Sequence, residues 1–149
     1  MDKINVKFNL SDENKKFLKQ GLEKYNFSKN NYFNPEIYKK DRKYFGFYAY
    51  KNDDIIGGAY GWIEYENWVW LDLLYVDDHC RGFDVGTKLM TSVEKFAKEN
   101  GCIGIRTTTW DFQARGFYEK MGFVVFGQLE NFPIGATDHH LKKVIEYSG

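Results

Sequence analysis

The sequence predicts an α+β fold, with a mixed, mostly antiparallel sheet, a central βαβ crossover and flanking helices. Three observations carry this. Aromatic and β-branched runs separated by short turns fill residues 44–76. One long apolar repeat at helical spacing begins at Val85. A strand-like run, CIGIRTTTW, follows that helix, and a strand–helix–strand unit makes its two strands parallel with a right-handed crossover.

Each element has a local reason. Val6 to Leu10 alternates and reads as a first strand. Ser11 then caps a helix whose first turn carries Asp12 and Glu13, suited to its positive end. Phe17, Leu18, Leu22 and Tyr25 fall on one side of it. Ser28 to Lys43 is polar with interspersed aromatics and reads as a loop or short helix. YFGFYAY, IIGGAYGWIEY and ENWVWLDLLYV form an antiparallel meander, and the glycines of the second strand mark bulges. Val85, Leu89, Val93 and Phe96 define about four helical turns, closed by Gly101. FQARGFYEKM is a second, shorter helix stopped by Gly122. FVVFGQL and HHLKKVIEY are the last two strands, joined by the turn ENFPIGATD.

The 149 residues suffice for one domain, taken as 1–149. Lysine plus arginine number 21 and aspartate plus glutamate 21, so the basic surplus expected of a nucleic-acid binder is missing. No run approaches the roughly 20 apolar residues of a membrane span, and no signal-peptide pattern opens the chain. Cys80 and Cys102 stand in no metal-binding spacing and read as reduced thiols of a cytoplasmic protein. No metal is expected. His139 and His140 are adjacent on a strand and point to opposite faces, which speaks against a shared metal.

The join VDDHCRGFDVGTKLM holds the strongest chemical signal. A helix start offers amides without partners and a partial positive charge, and nearby glycines let an anion approach. Gly82, Gly86 and Arg81 supply that setting. The competing reading is a tight turn with close helix packing. Asp84 is out of place, because a carboxylate aimed at a pyrophosphate repels it. Aspartate tolerates a positive φ, so it can replace glycine where only the backbone angle matters. The expectation is a side chain turned outward, or one that caps the helix.

LLYVDDHCRGFDVGTKLM followed by FQARGFYEKMGF resembles the GNAT superfamily of acyl-CoA-dependent N-acyltransferases, of the small bacterial type. Arg81, Asp84 and Gly86 occupy the marked positions of that family's loop, Asp84 standing where glycine is usual. In the second motif Asp111 replaces asparagine, while Ala114, Tyr118, Glu119, Lys120, Gly122 and Phe123 match. The resemblance implies acetyl-CoA as cosubstrate. Its pantetheine arm would lie between the strand ending at Val76 and the strand CIGIRTTTW. Leu74 and Val76 would pair with it, and the amides from Arg81 to Thr87 would hold the pyrophosphate. The implied cofactor-binding set is Leu74, Tyr75, Val76, Arg81, Gly82, Phe83, Asp84, Val85, Gly86 and Thr87. Tyr118 would protonate the departing thiolate, whose pKa is about 8.5.

A general base is less marked. Asp72 shares strand parity with Leu74 and Val76 and so is expected to face the cleft; Glu64 lies across the hairpin. An ordinary solvated or salt-bridged carboxylate is the bland reading of both. Tyr60, Trp62, Tyr65, Trp68 and Trp70 either line an acceptor pocket or fill a sheet face, and the second is favoured. The functional expectation is an N-acetyltransferase that acts by direct attack on a small primary amine, or on a protein N-terminus or lysine. A homodimer is compatible with it. The rival is a non-catalytic acyl-CoA-binding or regulatory domain of the same fold, favoured by Asp84 and Asp111.

Overall fold

A computed structural model describes residues 3–34, 36, 42–82 and 84–148. The chain forms two compact units, Met1–Asp41 and Arg42–Gly149. In the first, α1 (Asp12–Lys29) starts where Ser11 predicts, the Asn14 N–H donating to Ser11 Oγ at 3.2 Å. The expected strand over Val6–Leu10 is absent, and residues 3–11 carry no regular structure. Alternation alone does not make a strand. Its backbone groups need a neighbouring ladder, and the described residues of this unit offer none. Asn31–Phe33 makes one 3-10 turn, and the rest of the stretch expected as loop or short helix falls largely outside the described residues.

The second unit carries a six-stranded sheet. Its strands are β1 (Tyr44–Lys51), β2 (Asp54–Glu64), β3 (Trp68–Val76), β4 (Gly104–Trp110), β5 (Val124–Glu130) and β6 (Thr137–Val144). The order is β1-β2-β3-β4-β6-β5, and among the described strand pairs only β3 and β4 run parallel. α2 (Val85–Glu99) makes the crossover between them, and α3 (Arg115–Lys120) links β4 to β5. The predicted α+β mixed sheet is the observed one.

Parity sorts the side chains. Phe45, Ala59, Ile63, Val69, Leu71, Ile105 and Leu141 turn to one face and meet Val85, Leu89, Met90, Val93 and Ala97 of α2. The spacing of those helix residues is what makes one stripe of α2 buried. Both helices close as the sequence suggests. The Cys102 N–H returns to Ala97 O at 2.9 Å beyond Gly101 (φ 66°), and the Phe123 N–H to Tyr118 O at 2.9 Å beyond Gly122 (φ 93°). The second closure sets the Phe123 ring against Tyr118, 5.3 Å between centroids. None of the aromatics Tyr60, Trp62, Tyr65, Trp68 and Trp70 joins the buried core. Tyr60 and Trp62 instead pack with Tyr44 on the sheet face opposite α2. Among the described residues no helix is long and apolar enough to cross a membrane.

Candidate active site

β3 and β4 pair over only three positions, Trp68↔Gly104, Val69↔Ile105 and Trp70↔Arg106. Beyond that point β3 stays bonded to β2 as far as Val76, and β4 stays bonded to β6 as far as Trp110. The facing edges of both strands are therefore left open. The last rung is pinned from both sides of the sheet. On one face Arg106 lies over the Trp70 ring, 4.6 Å to the centroid, and Nη2 pairs with Glu64 Oε1 at 2.6 Å. On the other, Thr107 Oγ1 donates to Leu71 O at 2.9 Å.

Which backbone groups face this gap follows from one irregularity. The β2–β3 register shifts between Tyr60/Gly61, where Tyr60 pairs with Leu73 and Gly61 with Leu71, so Asp72 is an extra residue. Before the bulge Trp70 O points to β2, crowding the space where Gly61 lacks a Cβ, and Leu71 O points to β4. After it the alternation is displaced by one residue. Tyr75 O lies 2.9 Å from where a Cβ on Gly57 would stand, and the Asp77 N–H donates to Ile56 O at 2.8 Å, so both face β2. Val76 and, by alternation, Leu74 thus present their backbone to the gap. Tyr75, expected in the same set, does not. Its main chain faces β2, and Asp77 beside its exposed ring raises the phenol pKa.

The bulge also overturns the expected parity of Asp72. Leu74 and Val76 pack their side chains toward the core, whereas Asp72 is exposed and accepts a hydrogen bond from Trp70 Nε1 at 3.0 Å. Glu64, the other carboxylate considered, is held by Arg106.

At the open end of the gap lies the glycine loop. Cys80 ends a 3-10 turn, Asp78–Cys80, and the Arg81 N–H is already taken by Asp78 O at 3.3 Å. The Arg81 side chain folds back as well, Nε donating to Val76 O at 3.2 Å and Nη1 meeting Asp78 Oδ1 at 3.0 Å. It braces the end of β3 instead of standing free. Phe83 lies outside the described residues. The first helical bond of α2 runs from the Lys88 N–H to Asp84 O at 3.0 Å, leaving the amides of Val85, Gly86 and Thr87 ahead of it. Gly86 has a second task, since a Cβ there would stand 3.2 Å from the Phe117 ring of α3. This glycine thus packs closely on α3 while its amide lies ahead of the helical ladder.

Asp84 adopts the left-handed conformation, φ 57° and ψ 22°, and makes no capping bond. Its side chain is exposed. It stands where glycine would because the turn needs that backbone angle, which aspartate bears better than most residues. Asp84→Gly is therefore expected to change acetyl-CoA affinity by less than about tenfold, roughly 1.4 kcal/mol, in a calorimetric titration. A hundredfold tightening would mean that the carboxylate opposes the phosphates.

Tyr118 is buried on the core side of the gap, edge-on to Phe117 and Phe123. Burial pushes its phenol up to about 12, with a hydrogen bond from Thr107 pulling the other way. The Thr107 hydroxyl thus stands beside Tyr118 while it donates to Leu71 O. Thr107 was hidden in the run Thr107–Thr109; the signal was its strand parity with the core residue Ile105. The sign of the pH effect is fixed by the raised value. An unfolded tyrosine ionises near 10, so the burial of neutral Tyr118 stabilises fully below pH 10 and is lost as pH rises toward about 12. Tyr118→Phe should remove up to about 3 kcal/mol of that loss, read from urea denaturation at pH 9 and pH 12.

Comparison with known proteins agrees with this geometry. Residues 9–123 match the model of the acetyltransferase (GNAT) family. Blasticidin-S acetyltransferase of Streptomyces morookaense is 40% identical over 91 residues, 60% of this chain and 66% of that protein, just under two thirds of its length. The crystal structure of an acetyltransferase from Bacillus cereus ATCC 14579 is 26% identical, covers 94% of this chain and 97% of that one, and superposes with a TM-score of 0.75. An aminoglycoside 6'-N-acetyltransferase complexed with coenzyme A shares the fold at 20% identity, over 93% of this chain and 97% of that one, with a TM-score of 0.65. With more than half its length on the family model, the chain belongs to the acetyltransferase (GNAT) family.

Proposed function

We propose that the chain moves an acetyl group from acetyl-CoA to the primary amine of a small molecule, by direct attack of the amine on the thioester. The observation that carries this is the ladder of β3 and β4 stopping at Trp70–Arg106, with Leu74 and Val76 turned to the opening. An extended amide chain such as pantetheine can take the place of the missing strand there. The amides of Val85, Gly86 and Thr87 hold the pyrophosphate, and the positive end of α2 favours its charge. Arg81 contributes by fixing the end of β3 through Val76 O. The choice of a small-molecule acceptor over a protein rests on two of the similar proteins, a blasticidin-S acetyltransferase and an aminoglycoside 6'-N-acetyltransferase.

Tyr118 serves the leaving thiolate. With the phenol near 12 and the thiol about 8.5, complete proton transfer is uphill by roughly 5 kcal/mol. Tyr118 acts chiefly by donating a hydrogen bond to the developing thiolate, a smaller but useful stabilisation. Asp72 is the candidate base only through water, because its carboxylate is exposed and one oxygen is occupied by Trp70 Nε1. The test is thiol release from acetyl-CoA against a panel of small amines and lysine peptides. Turnover with a small amine supports the reading. Binding of acetyl-CoA without turnover of any amine favours the non-catalytic domain instead.

A further inference from the structure

A cavity of about 300 Å³ lies on the β1–β2 side of β3, whereas the gap described above lies on the β4 side. Ala49 and Ile56 from the two strand ends, Cys80 ahead of the glycine loop and Val85 at the start of α2 form its apolar walls. Lys51 and Lys88 bring two cations to it. Neither makes an ion pair among the described residues. Lys88 also lies near the positive end of α2, where a cation is disfavoured. Two cations at an apolar cavity, one of them at the wrong end of a helix, are complementary to an anion with an apolar body. The volume equals about ten liquid waters, room for a ligand of roughly ten non-hydrogen atoms.

We propose that this cavity is a second ligand site, which takes a small carboxylate with an apolar chain or ring. The carboxylate lies between Lys51 and Lys88, and the body packs on Ala49, Ile56, Cys80 and Val85. Cys80 and Val85 stand on either side of the loop 81–84, and Asp77 before it is tied to Ile56 O. An occupant therefore steadies both ends of that loop and shifts acetyl-CoA affinity. This coupling rests on the loop's being the pyrophosphate seat; the binding does not.

The test is calorimetry of the whole chain with octanoate as probe, and with octylamine as its oppositely charged counterpart. One saturable octanoate site is expected, and none for octylamine. The double change Lys51→Ala and Lys88→Ala should weaken octanoate at least tenfold, and Ile56→Trp should abolish it. A second readout needs no packing variant. A thiol reagent should modify Cys80 in the native chain, assigned by its loss in Cys80→Ser, and octanoate should slow it. Absence of saturable binding, equal binding of octylamine, or undiminished binding in the double-lysine variant overturns the site. If octanoate binds as described but leaves acetyl-CoA affinity unchanged, the coupling is refuted and the site stands.

Discussion

Replacing Tyr118 by phenylalanine is expected to lower kcat about 10- to 100-fold and leave acetyl-CoA affinity nearly unchanged. The ring of Tyr118 is buried against Phe117 and Phe123, and phenylalanine preserves both contacts. Only the hydroxyl is lost, and in the role proposed for it this group acts only when negative charge gathers on sulfur. Such a loss falls on kcat and not on ground-state binding. Because burial pushes the phenol up to about 12, a kcat–pH profile of the native chain should show no inflection from it between pH 6 and pH 10. An unchanged kcat in the variant would remove Tyr118 from the chemistry.

Gly61→Ala is expected to destabilise the fold by about 3 kcal/mol or more. A Cβ at this position collides with Trp70 O and stands 2.8 Å from the Phe45 ring, so backbone would have to move. Gly46 of the neighbouring strand provides the contrast. There the nearest atom is 3.3 Å away on the Tyr48 ring, which can swing aside, so Gly46→Ala should cost little. Urea denaturation of the two variants measures the difference. Gly61 sits at the register shift that decides which β3 groups face the gap. Equal stabilities would show that the close approach of β2 to β3 at the bulge is not required.

The meander and the crossover were legible because period-2 and period-3.6 patterns are local. Val85, Leu89 and Val93 announce α2 wherever they occur, and Gly101 and Gly122 announce its end and that of α3. The left-handed backbone at Asp84 followed from chemistry in the same way. What failed depended on distant partners. Val6–Leu10 has a strand's alternation, yet the ladder it would need is not found among the described residues of its own unit. The bulge at Asp72 arises from a two-strand register, and it reversed the parity that had put Asp72 beside Leu74 and Val76. The reach of Arg81 back to Val76 O and Asp78 was not legible either, because it depends on the path of the loop.

The central claim is that the open edge of β3 receives the arm of acetyl-CoA. Residue-resolved amide exchange of the chain, with and without saturating acetyl-CoA, tests it most directly. The account predicts slowed exchange at Leu74 and Val76, whose backbone faces the gap, and little change at Tyr75, already turned to β2. Protection at Tyr75 with Leu74 and Val76 unchanged, or no protection along β3 at saturation, would contradict it.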